Sequence, residues 1–157
     1  MAQPALHTLL ARQLRRLGLD AEAYAFWETS CSIDLKGGSS QGIHSACCGM
    51  NWQVAVFGFG GVASGMNSEL LKISPRLPAT WISLRFPLVW KSIPVVVDIS
   101  HTATRLENRG DREIQAQISG ELISLSPGES RTVSTLHCQP LHNTKINSAT
   151  CAKRLTL

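Results

Sequence analysis

The spacing of apolar residues changes once along this chain, near Gly61, and a chain with two such periods has to build two kinds of layer. Before that point Leu6, Leu9, Leu10, Leu14 and Leu17 recur at helical spacing on one face. Pro4 suits a first helical turn, where its missing N–H is not needed, and Gly18 suits the stop. Asp20 can cap a second helix, to which Ala21, Ala23, Tyr24, Phe26 and Trp27 bring apolar surface. So short a turn between two helices predicts an antiparallel pair. The run KGGSSQ at 36–41 is a loop, because Gly and Ser specify neither helix nor strand. Residues 46–59 carry Met50, Trp52, Val54, Val56 and Phe57 nearly all round, which predicts a buried helix ended by the glycines at 58–61.

After Gly61 short segments rich in β-branched and aromatic residues alternate with turn signals. They fall at 70–73, 84–90, 94–99, 104–107, 114–118, 121–125 and 131–135, with Ser74-Pro75, 108–111, Ser119-Gly120 and 126–128 between them. Leu84, Phe86, Leu88 and Trp90 alternate strictly, so one face of that strand is expected to be buried. The expectation is an α+β chain: helices near 5–17, 21–31 and 46–58, then a small antiparallel β-sandwich domain. The domains are set at 1–62 and 68–135, with an unstructured tail over 136–157, which is polar and without period. Trp27, Trp52, Phe57, Trp81 and Phe86 are the core candidates.

Composition narrows the function classes. Hydrophobic residues make up 43% and charged residues 17%, which favours a packed core over disorder. The net charge of +4 is spread out apart from Arg12, Arg15 and Arg16, and three arginines on one helix read as a solvated face, not a nucleic-acid footprint. Five cysteines, an odd and irregularly spaced set, argue against a disulfide framework and for a reducing compartment. The first 17 residues lack the unbroken apolar run of a signal peptide, and no stretch is long enough for a membrane span, so a cytoplasmic protein is expected. Gly58-x-Gly60-x-x-Ala63 approaches a dinucleotide fingerprint, but strands follow it instead of a helix, and no acid stands at the required distance. His137, Cys138, His142 and Cys151 match no closed zinc pattern, and Cys47-Cys48 read as small buried hydrophobes. No metal or cofactor is expected.

One position has a chemical reading. His44 follows a Gly/Ser loop and precedes a helix, in GSSQGIHSACCGMNW. A helix N-terminus offers unpaired N–H groups and the positive end of a dipole, which favour an anion. Ser39, Ser40 and Ser45 can add donors. A hydrogen-bonded structural histidine remains the other reading of the residue.

Three consecutive blocks then resemble one family. QGIHSACCGMNWQVAVFGFGGV is similar to a segment of family 65 glycoside phosphorylases, with its Gly-Ile-His, its Trp and its Gly-Phe-Gly-Gly ending. ISPRLPATWISLRFPLVWKSIPVVVDIS resembles the start of that family's C-terminal domain, and PALHTLLARQLRRLGLDAEAYAFWETSCSIDL its preceding helix hairpin. The resemblance implies that the first helices are the end of an (α/α) barrel and that the β-domain is the family's C-terminal one. It implies a parent enzyme that cleaves α-glucosidic disaccharides such as maltose, trehalose or kojibiose with inversion, using inorganic phosphate or water. It assigns phosphate to His44, with Ser39 and Ser40 nearby, and assigns no catalytic residue to this chain. The family's general acid and a serine-containing turn lie upstream of the matched blocks, so the chain is expected to be an inactive C-terminal fragment unless the rest of the barrel joins it. The rival expectation is a stand-alone β-sandwich module for carbohydrate or protein, with the helices as a docking arm.

Overall fold

The computed structural model describes residues 13–14, 17–35, 45–63, 68–135 and 153–156. The chain divides into two compact units, Met1–Val62 and Ala63–Leu157.

In the helical unit, the expected stop at Gly18 is present. Its φ of 80° is left-handed, and the Leu19 N–H reaches back to the Leu14 carbonyl at 3.0 Å, as a glycine-terminated helix requires. Helix α1 (Asp20–Leu35) follows at once and runs four residues past its expected end at residue 31. Helix α2 (Ser45–Gln53) continues into a π-helical segment, Val54–Phe59, closed by a Gly60 N–H to Ala55 carbonyl bond of 2.8 Å. Gly61, at φ 65°, then turns the chain out of the helix. The expected first helix at 5–17 lies mostly outside the described residues.

The expectation of a helix buried all round fails over α2. Among the described side chains there, only Asn51 is buried, and the continuous buried run starts at Val54. Trp52 and Phe57, two of the core candidates, are 39% and 42% exposed and stack edge-to-face on each other with ring centroids 5.8 Å apart. Ser, Ala, Cys and Gly give the first turns of α2 little apolar area, so apolar composition there does not amount to a core face.

The β unit forms two sheets. One has the order β1-β2-β6-β7, from β1 (Val62–Ala63), β2 (Leu71–Ile73), β6 (Ile114–Ile118) and β7 (Glu121–Leu125). The other has the order β8-β5-β4-β3-β9, from β3 (Trp81–Trp90), β4 (Ile93–Ser100), β5 (Ala103–Asn108), β8 (Ser130–Ser134) and β9 (Lys153–Thr156). The strict alternation read in β3 is real on the buried side: Leu84 and Phe86 are fully covered while Arg85 and Pro87 are exposed. Val95, Val97 and Ile99 of β4, Leu106 of β5 and Val133 of β8 continue that buried face, and Leu71, Ile73, Ile114, Ala116, Ile118, Ile123 and Leu125 supply the other sheet's. Each of the larger side chains stabilises by roughly 1.5–3 kcal/mol through loss of contact with water.

The domain is not purely antiparallel. β2 lies parallel to β6, Leu71 opposite Ala116 and Ile73 opposite Ile118. β9 lies parallel on the free edge of β3, with Leu84 opposite Leu155 and Arg85 opposite Thr156. Part of the expected unstructured tail is therefore a strand, because the unpaired N–H and C=O groups of an edge recruit extended backbone whatever its period. Residues 136–152 of that tail lie outside the described residues.

Candidate functional site

Ser39, Ser40 and His44 lie outside the described residues, and what surrounds them in sequence sets the chemistry available. α1 ends at Leu35 and α2 begins at Ser45, so His44 immediately precedes the first turn of a helix. That turn contains no acidic residue, so no carboxylate of its own opposes an anion at the helix N-terminus.

The two helices flanking this loop are fixed to each other by aromatic residues. The Trp27 indole N–H donates to the Asn51 carbonyl at 2.9 Å. The Trp27 ring meets Phe59 edge-on at 6.0 Å, and Tyr24 meets Phe59 at 6.4 Å. Tyr24 and Trp27 are themselves 6.0 Å apart on α1. Phe59 is fully buried, and the π-helical segment brings it to these rings. The fingerprint-like glycines thus follow a helix, not a strand, so the region has no Rossmann-type phosphate turn.

One turn beyond Trp27 on α1 is Cys31. Burial pushes its thiol up to about 11, and the neighbouring Cys48 and Glu28 push in the same direction. The expectation of buried small hydrophobes fails at Cys48, which is exposed. Among the described residues, no three His, Cys, Asp or Glu side chains are grouped to hold a metal ion. No helix of the described residues is long and apolar enough to cross a membrane.

The outer face of the larger sheet carries charge. Arg85, Asp98 and Arg105 stand opposite one another across β3, β4 and β5. Glu107 accepts a 2.7 Å bond from Arg109 Nε, which holds its carboxyl below its ordinary value; desolvation opposes this, and the charges of Arg109, Arg105 and Arg85 add to it. Charges of both signs on an open face keep it solvated, and Arg105 Nη2 donates to the Ser130 hydroxyl at 3.1 Å.

Comparison with known proteins follows the division of the chain. Residues 66–125 match the family described as glycosyl hydrolase family 65, C-terminal domain. Kojibiose phosphorylase from Halothermothrix orenii is 30% identical over 131 residues, covering 78% of this chain and 16% of that protein. 1,2-alpha-glucosylglycerol phosphorylase from Bacillus selenitireducens is 30% identical over 128 residues, covering 75% of this chain and 16% of its own length. A solved candidate kojibiose phosphorylase from the human microbiome superposes with a TM-score of 0.70 over 82% of this chain and 17% of its own, at 17% identity, a likeness of fold. The chain thus spans about one sixth of the length of the relatives it matches.

Proposed function

Because the chain belongs to glycoside hydrolase family 65 and carries that family's C-terminal domain, we propose that it serves as the C-terminal part of a cytoplasmic phosphorylase acting on α-glucosidic disaccharides. The observation that carries this reading is the extent of the similarity. A match over 78% of the chain is longer than the β unit, Ala63–Leu157, and so has to enter the helical unit as well. The helices before Val62 are then the last helices of an (α/α) barrel, and His44, with Ser39 and Ser40, holds the phosphate that attacks the glucosyl carbon. α2, with an acid-free first turn directly after His44, supports that role by offering N–H groups to the anion.

Inverting phosphorolysis also needs a carboxylic acid to protonate the departing oxygen, an effect worth roughly 10²–10⁴-fold. In this reading the acid belongs to a part of the barrel outside this sequence, and the chain by itself does not turn over. Purified chain incubated with kojibiose, maltose or trehalose and phosphate is expected to release no glucose 1-phosphate, and a matching upstream half is expected to restore release. Activity of the chain alone overturns the partition of residues. The phosphate site has its own test: the imidazole NMR signals of His44 should move in millimolar phosphate but not in equal ionic strength of chloride. Signals indifferent to phosphate make His44 structural.

A further inference from the structure

We propose that Cys31 and Cys48 are a reversible disulfide pair, a covalent modification site that cross-links α1 to α2. The argument is the register between the helices. Tyr24 and Trp27 of α1 touch Phe59, and Trp27 donates to Asn51, so as α1 runs forward its neighbours on the second helical segment run backward. The helices are therefore antiparallel, and one further turn can be read off. Cys31 stands four residues beyond Trp27, and Cys48 stands three residues before Asn51, each on the same helix face as the residue already in contact. The next rung consequently places the two thiols opposite each other. The electrostatic influence of Cys48 on the Cys31 thiol agrees with that placement.

The two sulfurs differ in access, which sets the order of events. Cys48 is exposed and Cys31 is half-buried. With a glutathione-type disulfide as oxidant, the Cys48 thiolate attacks one sulfur, its S–S bond breaks, and one thiolate leaves with the bonding pair. Cys31 then loses its proton and attacks the Cys48 sulfur of the mixed disulfide, expelling the second thiolate. The protein gives up two hydrogens and the small disulfide becomes two thiols. The raised affinity of Cys31 for its proton slows this second step.

The cross-link closes a ring holding residues 32–47, and with it Ser39, Ser40 and His44. Oxidation would therefore restrain the ends of the candidate phosphate loop; only this consequence rests on the phosphate reading, and the cross-link stands or falls without it. The full chain is incubated with oxidised glutathione and mapped without reduction by mass spectrometry. The expected product is lighter by two hydrogens, joins Cys31 to Cys48, and melts at a higher temperature than the reduced chain. Cys47→Ser keeps the cross-link. Cys48→Ser, at an exposed position, loses it and the rise in Tm, while circular dichroism shows its helices intact. Glutathione adducts without an internal bond, or a bond to Cys47, Cys138 or Cys151 in place of Cys48, overturn the proposal. The mapping involves no phosphate, so its failure leaves the His44 titration unaffected, and the reverse holds as well.

Discussion

Asn108 shows at the scale of one residue how much a turn can depend on a buried amide. Its side chain is fully buried, and Nδ2 donates to the carbonyls of Arg112 at 2.7 Å, Leu125 at 3.1 Å and Ser126 at 3.2 Å. Its Oδ1 accepts the Gly110 N–H at 2.9 Å. One side chain thus ties the β5–β6 turn to the end of β7. Gly110 is part of the same arrangement, since a Cβ there would collide with the Ile93 side chain. Asn108→Ala leaves the buried Leu125 carbonyl, the Arg112 and Ser126 carbonyls and the Gly110 N–H without these partners and should lower stability by about 2–4 kcal/mol in urea unfolding. Asn108→Asp keeps the shape but turns a donor into an acceptor facing three carbonyls, and is expected to cost at least as much. A small loss in both variants would mean that water replaces the amide. Sequence reading placed a turn at 108–111 from its Asn, Gly and Asp, but a buried amide and an exposed one look the same in a sequence.

At the scale of elements, the β3–β4 hairpin turns through Lys91 and Ser92, both left-handed, with φ of 48° and 67°. Trp90 pairs with Ile93 across this two-residue turn. Such turns favour Asn-Gly because side chains crowd the backbone at positive φ. Replacing Lys91-Ser92 with Asn-Gly should therefore stabilise by roughly 1 kcal/mol, read as a higher urea midpoint at unchanged slope. The lost Lys91–Glu69 ion pair is largely exposed and offsets little of this. No change, or a loss, would show that Lys91 and Ser92 are held by more than the turn. The companion turn, Ser119-Gly120, was legible because its glycine sits at φ 94°, whereas Lys-Ser carries no turn signal. The free edge of β3 is managed in two ways: β9 covers it as far as Arg85, and Pro87, two residues on, has no N–H to offer a further strand.

At the scale of the whole molecule, the division at Val62 predicts unequal halves. The β unit has its own fully buried Trp81, Phe86, Leu71 and Leu125, so residues 63–157 expressed alone should show a β-type circular dichroism spectrum and one cooperative melt. Residues 1–62 alone are near the size at which a single core barely offsets chain entropy, and should melt broadly if at all. A β half without a cooperative transition would show that its core needs the helices. The sequence alone determined the two periods, and through them the element types. Most strand positions were legible within a residue or two: the observed Ile114–Ile118 and Glu121–Leu125 are those expected, and β3 begins three residues early at Trp81. It also determined the stop at Gly18, because left-handed backbone selects glycine locally. Only tertiary structure decided that Trp81 is covered while Trp52 is not, that β2 runs parallel to β6, and that Lys153–Thr156 becomes a strand. The period of a segment reports the face it can bury and the backbone it can form. Burial and pairing belong to whatever lies opposite, which can be far away in the chain, and no local pattern records it.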